Sequence, residues 1–218
     1  MQIYLNDGSS ADNQRPSIRL FPYFCRLIFG RDLIIIKVEL PRRIFLDTSV
    51  VNFIVDYSEN IFDRIPPSED VNDRVYEDIL AMCQIFIYAD HNAIEMIISN
   101  TTFLEVEATA NTQKRKDLVN FCSDLWEYFH LLIEDDYTIP GVEVKYYEEF
   151  LMDKGLNKLN GAVDRKLIIE ALFYKCDIFC TRDYKTILKH RLHLKKAIPL
   201  EILTPMEWCE RYSYVKAY

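Results

Sequence analysis

The sequence lacks the features that mark several large classes of protein. Its 26 Lys and Arg residues are outnumbered by 34 Asp and Glu residues, so the formal net charge is -8, which argues against a protein that coats nucleic acid through bulk electrostatic attraction. The 4 His and 6 Cys residues form no CxxC pair and no grouping with the spacing of zinc ligands. No internal repeat and no low-complexity segment is visible. These absences leave a non-repetitive globular protein as the expectation.

The sequence also has no long uncharged apolar run. Residues 20–40 are the most apolar stretch, but charged residues interrupt them, and they fall short of the ~18 uncharged residues that a membrane-spanning helix needs. Residues 1–19 are polar and lack a basic start, so they do not match a secretory signal peptide. We therefore expect a cytoplasmic protein without a membrane segment, whose cysteines are reduced, unpaired and mostly buried.

The composition that remains is that of an ordinary folded domain. Of the 218 residues, 50% are hydrophobic and 28% are charged, a balance far from that of disordered chains. Because domains usually contain roughly 100–200 residues, this length fits one domain with an extension. We predict a partly disordered extension or packing arm over residues 1–41, with a strand at 33–38, and a folded domain over residues 42–213.

Short apolar runs alternate with amphipathic segments along this domain. Strands are predicted where the apolar runs are short and bounded by polar residues, and helices where apolar residues recur every three or four positions. This alternation predicts an α/β fold, a three-layer α/β/α sandwich with a central, mostly parallel sheet. The predicted strands are 44–46, 94–98, 177–181 and 200–203. The predicted helices are 48–57, 71–89, a segment from 101, 113–133, 142–154, 161–172, a segment from 184 and one after Pro205. A loop is predicted at residues 58–70 and a turn at 137–141.

Four acidic residues occur where such a fold opens a site. Asp47 and Asp183 each follow a predicted strand, and Glu105 and Asp164 lie in the opening turns of predicted helices. Because ligands bind outside the carboxyl ends of parallel strands, we expect these carboxylates to gather at one edge of the sheet. Glu107 is a rival for the position of Glu105, since it lies two residues further along the same helix.

A gathering of carboxylates has a definite chemistry. Clustered carboxylates repel one another, and without a cation their pKa values rise. Oxygen ligands without His or Cys favour Mg²⁺ or Mn²⁺, and two such ions can clamp a phosphodiester and stabilise an in-line displacement. Phosphodiester hydrolysis is therefore the reaction that this pattern favours. The net negative charge of the chain does not exclude it, because cations bound at the site would offset the negative charge there.

Four stretches of the sequence together resemble a PIN domain over residues 43–211. They read IFLDTSV at 44–50, IISNTTFLEVEAT at 97–109, DRKLIIEALFYKCDIFCTRDYKTIL at 164–188 and EILTP at 201–205. The resemblance implies a central parallel sheet and an endoribonuclease that cuts RNA with Mg²⁺ or Mn²⁺ by a two-metal mechanism. It assigns catalysis and metal binding to Asp47, Glu105, Asp164 and Asp183, with Thr181 as a supporting hydroxyl.

The same resemblance implies partners. PIN proteins are often the toxins of toxin and antitoxin pairs and form homodimers, so RNA, an antitoxin protein and a second copy of the chain are expected partners. Residues 1–41 and the acidic loop at 58–70 are additions relative to the compact toxins. The alternative is a catalytically silent PIN-like module that binds RNA or a protein partner.

Two further interpretations stay open at the level of sequence. Lys185, Lys189 and Arg191 follow Asp183 closely and are predicted to contact substrate phosphates, although such a basic run is also typical of a solvated helix face. Three of the four acids could instead only stabilise a neighbouring helix. Asp47 and Asp183 could cap helices, and Asp164 could interact with a helix dipole, which contributes about 0.3–1 kcal/mol.

Overall fold

The computed structural model describes residues 40–132, 149 and 155–212, with residues 128–132 described by backbone alone. The predicted strand at 33–38 and the predicted turn at 137–141 lie outside these residues. So do the predicted extension, apart from residues 40 and 41, and the predicted helix at 142–154, apart from residue 149, which is helical.

Four short strands form one parallel sheet at the centre of the domain. The strands are β1 (Arg43–Leu46), β2 (Glu95–Ile97), β3 (Ile178–Cys180) and β4 (Glu201–Leu203), and their order in the sheet is β2-β1-β3-β4. Each neighbouring pair is parallel, and Leu46 at the end of β1 pairs with Cys180 at the end of β3. The chain passes from β1 to β2 on one side of β1 and later reaches β3 on the other side of β1. The switch point of the sheet therefore lies between β1 and β3.

Successive side chains of each strand enter two separate hydrophobic cores, one on each face of the sheet. In β1, Ile44 and Leu46 belong to one core, while Phe45 belongs to the other. Phe45 stacks on Phe179 of β3 with ring centroids 5.3 Å apart. Since fully burying one such side chain contributes about 1.5–3 kcal/mol, these short strands are held mainly by their side chains, and the register of β1 is fixed from both faces.

Helices cover both faces, which confirms the predicted three-layer α/β/α sandwich. Residues from α1, α2, α3, α5 and α8 enter the core that contains Ile44, and residues from α6 and α7 enter the core that contains Phe45. The helices are α1 (Thr48–Asp56), α2 (Ser58–Ile61), α3 (Asp73–Asn92), α4 (Asn100–Glu107), α5 (Thr112–Leu132), α6 (Ala162–Phe173), α7 (Ile187–Leu194) and α8 (Pro205–Tyr212), with a 3-10 turn at Leu156–Lys158.

Two predicted elements were wrong in their bounds. The predicted loop at 58–70 begins with α2, because Ile61 is buried in the core and the N–H of Phe62 donates to the carbonyl of Ser58 at 2.8 Å. The helix predicted from Tyr184 begins at Ile187. The side chain of Asp183 accepts two backbone N–H groups ahead of α7, and it holds residues 184–186 in a turn.

The cysteines that the structure describes are all free, and all but Cys83 are buried. Burial raises the pKa of the Cys122 thiol to about 12 and that of Cys209 to about 11. These thiols are therefore protonated at neutral pH and pack as small apolar groups. Within the described ranges, no helix combines the length and the apolar character needed to cross a bilayer.

Candidate active site

The topology brings the predicted site acids to the same edge of the sheet. Asp47 directly follows β1, and Asp183 follows β3, the parallel neighbour of β1. Helix α4 starts after β2 and carries Glu105 in its second turn. Helix α6 leads into β3 and therefore runs the opposite way, so that its first turn, with Asp164, lies at the carboxyl edge of the strands.

Asp47 is the most deeply buried of these carboxylates, with 4% of the residue exposed. Its Oδ2 atom accepts hydrogen bonds from Oγ of Ser49 at 2.5 Å and from Oγ1 of Thr181 at 2.6 Å. Asp47 occupies the N-cap position of α1, yet its side chain makes no capping hydrogen bond there. The carboxylate is therefore held by two hydroxyl groups rather than used to cap the helix.

The electrostatic environment of Asp47 makes its negative charge costly. Burial is the main cause that raises its pKa, from the ordinary 3.8 to about 6. The hydroxyls of Ser49 and Thr181 lower the pKa, and the charges of Glu105 and Asp164 raise it. Three acids from three different elements thus interact through space, and an added positive charge would be stabilised here.

Glu105 is half-buried and faces the start of α1. The Thr48 hydroxyl donates to its Oε2 atom. Burial raises the pKa of Glu105, the bond from Thr48 lowers it, and the charge of Asp164 raises it. Glu107, the rival from the sequence, is exposed, so the acid that the structure brings to Asp47 is Glu105.

Asp164 folds back over the turn that precedes its helix. A Cβ atom at Gly161 would overlap the Asp164 carboxylate, so the absence of a side chain at position 161 makes room for it. Burial raises the pKa of Asp164, the hydroxyl of Thr186 lowers it, and the charge of Asp183 raises it. As an acid in the first turn of α6, Asp164 also has the favourable dipole interaction that the sequence left open.

Asp183 organises the turn between β3 and α7. Its Oδ1 atom accepts the backbone N–H groups of Lys185 and Thr186, each at 2.9 Å, and the Thr186 hydroxyl donates to its Oδ2 atom. These bonds hold the turn before α7 rather than cap the helix, because the N-cap residue of α7 is Thr186 and the helix has no side-chain cap. The same Thr186 hydroxyl also lowers the pKa of Asp164, so it interacts with both carboxylates.

Two hydroxyls tie the loop after β3 to the loop after β1. Oγ1 of Thr181 accepts the N–H of Asp183 at 3.0 Å, and Oγ of Ser49 accepts the N–H of Arg182 at 3.0 Å. Because both hydroxyls also donate to Asp47, one small network fixes the relative positions of the two loops. Thr181 was predicted as a supporting residue, whereas Thr48, Ser49 and Thr186 were not. The only signal for them in the sequence is their short spacing from Asp47 and Asp183.

A buried ion pair supports this hydrogen-bond network. Nε of Arg182 lies 2.8 Å from Oδ2 of Asp78, which is 1% exposed, and the Arg182 guanidinium lies 3.8 Å from the ring centroid of Phe53. The pair connects α3 and α1 to the loop that carries Asp183. The sequence signal for it is an acid on the apolar side of α3, four residues before Met82 and seven before Ile85.

The predicted phosphate-binding residues have different surroundings. Lys185 and Lys189 are exposed. Arg191 instead pairs with Glu207, its Nη1 atom lying 2.5 Å and 2.6 Å from the two carboxylate oxygens. Glu207 also accepts the backbone N–H of Thr204 at the start of α8. Arg191 therefore has a structural partner already, whereas Lys185 and Lys189 are exposed side chains that follow Asp183 in the chain.

The donor set fits a hard divalent cation in its chemistry and its charge. Four carboxylates surrounded by hydroxyls offer oxygen ligands alone, and the pKa values of Asp47, Glu105 and Asp164 are all raised. Among the described residues, however, no three His, Cys, Asp or Glu side chains lie close enough together to hold one ion. The carboxylates would have to move closer to ligate a metal jointly.

Searches against protein-family models, curated proteins and solved structures found no match.

Proposed function

We propose that this chain is a divalent-metal-dependent endoribonuclease of the PIN type that hydrolyses RNA phosphodiester bonds with Mg²⁺ or Mn²⁺. The observation that carries the proposal is the mutual interaction of carboxylates from four separate elements at the carboxyl edge of β1 and β3. Asp47 interacts with Glu105 and Asp164, and Asp164 interacts with Asp183. Carboxylates that raise one another's pKa values are typical of functional sites, because their repulsion lowers the stability of a fold that binds no cation.

The residues of the chain have distinct parts in this reaction. Asp47, Glu105, Asp164 and Asp183 would hold the cation, which when bound supplies positive charge to the attacking and leaving oxygens of an in-line displacement. Thr181 and Ser49 orient the Asp47 carboxylate through their hydroxyls. Thr48 does the same for Glu105. Lys185 and Lys189 are exposed cations beside the site that would attract the phosphate backbone of the substrate.

The setting of this activity follows from the resemblance of the sequence to PIN domains. We propose a cytoplasmic enzyme that is the toxin of a toxin and antitoxin pair and acts as a homodimer. A small reading frame directly upstream that encodes a DNA-binding fold would support the toxin assignment. If no such reading frame is present and the protein still cuts RNA, the nuclease assignment stands and the toxin assignment is overturned.

The test is cleavage of RNA in the presence of Mg²⁺ or Mn²⁺. Wild-type protein should cut single-stranded or structured RNA, and a chelator should abolish the cut. Asp47→Asn and Asp183→Asn, purified in the same way, should lose most of this activity, because each substitution removes a negative charge while keeping the shape of the side chain. Equal residual cleavage by all three proteins would overturn the nuclease assignment.

The second candidate is a PIN-like module that binds RNA or a protein without cutting. What favours it is the spacing of the carboxylates, since no three of the described acids lie at ligand distance from one ion. The same samples separate the two functions. Retention of RNA without metal-dependent cleavage would support the silent module.

A further inference from the structure

Large exposed apolar side chains are the chain neighbours of three of the candidate site acids. Leu104 precedes Glu105, Val163 precedes Asp164, and Tyr184 follows Asp183, and all three apolar side chains are among the large exposed ones. Scattered exposed apolar residues are ordinary. Here, however, each is the chain neighbour of a different site acid.

Tyr184 is the aromatic residue among these three, and it is held in place. The guanidinium of Arg74, in the first turn of α3, lies 4.6 Å from the centroid of the Tyr184 ring. Helix α3 leads into β2, so its first turn lies at the same edge of the sheet as the site acids. Next to Tyr184, the buried pair of Arg182 and Asp78 fixes the loop. The ring is thus positioned rather than free to rotate into solvent.

The charges around Arg74 indicate stacking rather than phosphate binding as its chemistry. Asp73 and Glu77 flank Arg74 on α3, and all three side chains are exposed, so the local attraction for a phosphate is weak. A guanidinium plane and a phenol ring nevertheless both stack on nucleobases, and this contact works with any base because every base has a π face.

We propose that Tyr184 and Arg74 form a base-stacking subsite for an unpaired nucleotide next to the bond that the carboxylates would cleave. We define this subsite as the Tyr184–Arg74 platform. The proposal rests on the proposed function for its place in a reaction, but it makes its own statement about binding. A nucleobase can reach the platform only when it is not stacked in a duplex, so the platform selects single-stranded RNA.

The test is a binding measurement that does not depend on cleavage. Full-length protein carrying Asp47→Asn is titrated into a short fluorescein-labelled RNA without secondary structure, and binding is followed by fluorescence anisotropy. Adding Tyr184→Ala should weaken binding about tenfold, in the range found for loss of one stacked base. Tyr184→Phe, which keeps the ring, should bind within about twofold of the parent protein, since stacking needs the π face alone. Arg74→Ala should weaken binding in the same direction as Tyr184→Ala.

Tyr76→Ala is the matched control. Tyr76 is 46% exposed and Tyr184 is 40% exposed, but Tyr76 is not a chain neighbour of a site acid. Its loss should leave the affinity unchanged. An RNA duplex of the same sequence should bind equally to all variants, because its bases cannot reach the platform. Thermal midpoints verify folding, and if Tyr184→Ala does not fold, Tyr184→Leu takes its place.

The outcomes separate the two proposals. Folded Tyr184→Ala that binds the single strand as tightly as its parent would overturn the platform, as would a loss by Tyr184→Phe equal to that by Tyr184→Ala. If such a Tyr184→Ala substitution in the wild-type background also cuts RNA normally, the nuclease stands without the platform. Tyr184-dependent binding by a protein that never cuts RNA would support the platform and overturn the nuclease.

Discussion

The Thr181 hydroxyl donates a hydrogen bond of 2.6 Å to Oδ2 of Asp47, although 134 residues separate the two in the chain. The bond spans the switch point of the sheet, from the end of β3 to the end of β1. Thr181 is fully buried, so water cannot replace the hydroxyl if it is removed. The geometry and charge of Asp47 thus depend on a residue from the last third of the sequence.

Removal of this hydroxyl should affect both stability and activity. Thr181→Val keeps the shape of the side chain but removes the donor to Asp47 and the acceptor for the N–H of Asp183. We expect a loss of about 1–3 kcal/mol in the free energy of unfolding, since buried polar groups are left without partners, and a marked fall in RNA cleavage. Urea denaturation measures the first effect. Thr181→Ser restores the hydroxyl and is the control; equal stability of the two variants would contradict the role assigned to the bond.

The pKa of Asp47 predicts an unusual dependence of stability on pH. Because burial raises this pKa from 3.8 to about 6, the folded protein holds the proton more tightly than the unfolded chain does. The stabilisation of the folded state by protonated Asp47 is therefore complete at acid pH and is lost as the pH rises through about 6. In the presence of a chelator, Asp47→Asn should be more stable than wild type at neutral pH by on the order of 3 kcal/mol.

Thermal unfolding across this pH range checks the prediction. Wild-type protein should lose stability between about pH 4 and about pH 7, and Asp47→Asn should lose less over the same range. Some slope should persist in the variant, since the pKa values of Glu105 and Asp164 are raised as well. A wild-type midpoint that rises steadily over this range would contradict the assignment.

Metal binding can be measured through stability alone. A ligand that binds only the folded protein stabilises it by about 2.7 kcal/mol at a concentration of 100 times its dissociation constant. We expect Mn²⁺ to raise the thermal midpoint of wild type and of Glu107→Gln equally, because Glu107 is exposed and is not among the acids whose charges raise the pKa of Asp47. Glu105→Gln should lose most of this increase. Equal shifts in both variants would remove Glu105 from the proposed ligands.

The ion pair of Arg182 and Asp78 should matter far more than pairs on the surface. Asp78→Ala leaves the Arg182 guanidinium without its buried partner, and breaking a buried pair in this way costs about 3–5 kcal/mol. Lys114→Ala breaks the pair of Lys114 with Asp56, in which both side chains are partly exposed, and should cost less than about 1 kcal/mol. Chemical denaturation of the two variants compares them directly, and similar losses would argue against the anchoring role of Asp78.

The positions of the site acids could be predicted from the sequence because each obeys a local rule. Asp47 ends a short apolar run, and Asp164 opens a helix that leads into the next strand. Once the strands are taken as parallel, the edge that these residues occupy follows from the topology. The choice of Glu105 over Glu107 could not be made in this way, because it depends on which side of α4 faces the Thr48 hydroxyl.

The hydrogen-bond framework could not be predicted, since its partners are distant in the chain. Ser49 and the Arg182 N–H that it accepts are 133 residues apart. Asp78 could not be singled out from the sequence, because the pattern of an amphipathic helix treats acids as exposed. The start of α7 was misplaced for a related reason: helix propensity does not reveal that Asp183 binds two amides with its own side chain.

The order of strands has a consequence for synthesis of the protein. β1 lies between β2 and β3, so it gains its second neighbour only after residues 178–180 have been made. Pairing across so long a stretch of chain is slow, because loop closure must precede the contacts that stabilise it. On the ribosome, Asp47, Glu105 and Asp164 all emerge before Thr181 and Asp183 can join them. If the chain cuts RNA as proposed, we expect the nascent chain to be inactive until the residues that follow β3 have been released.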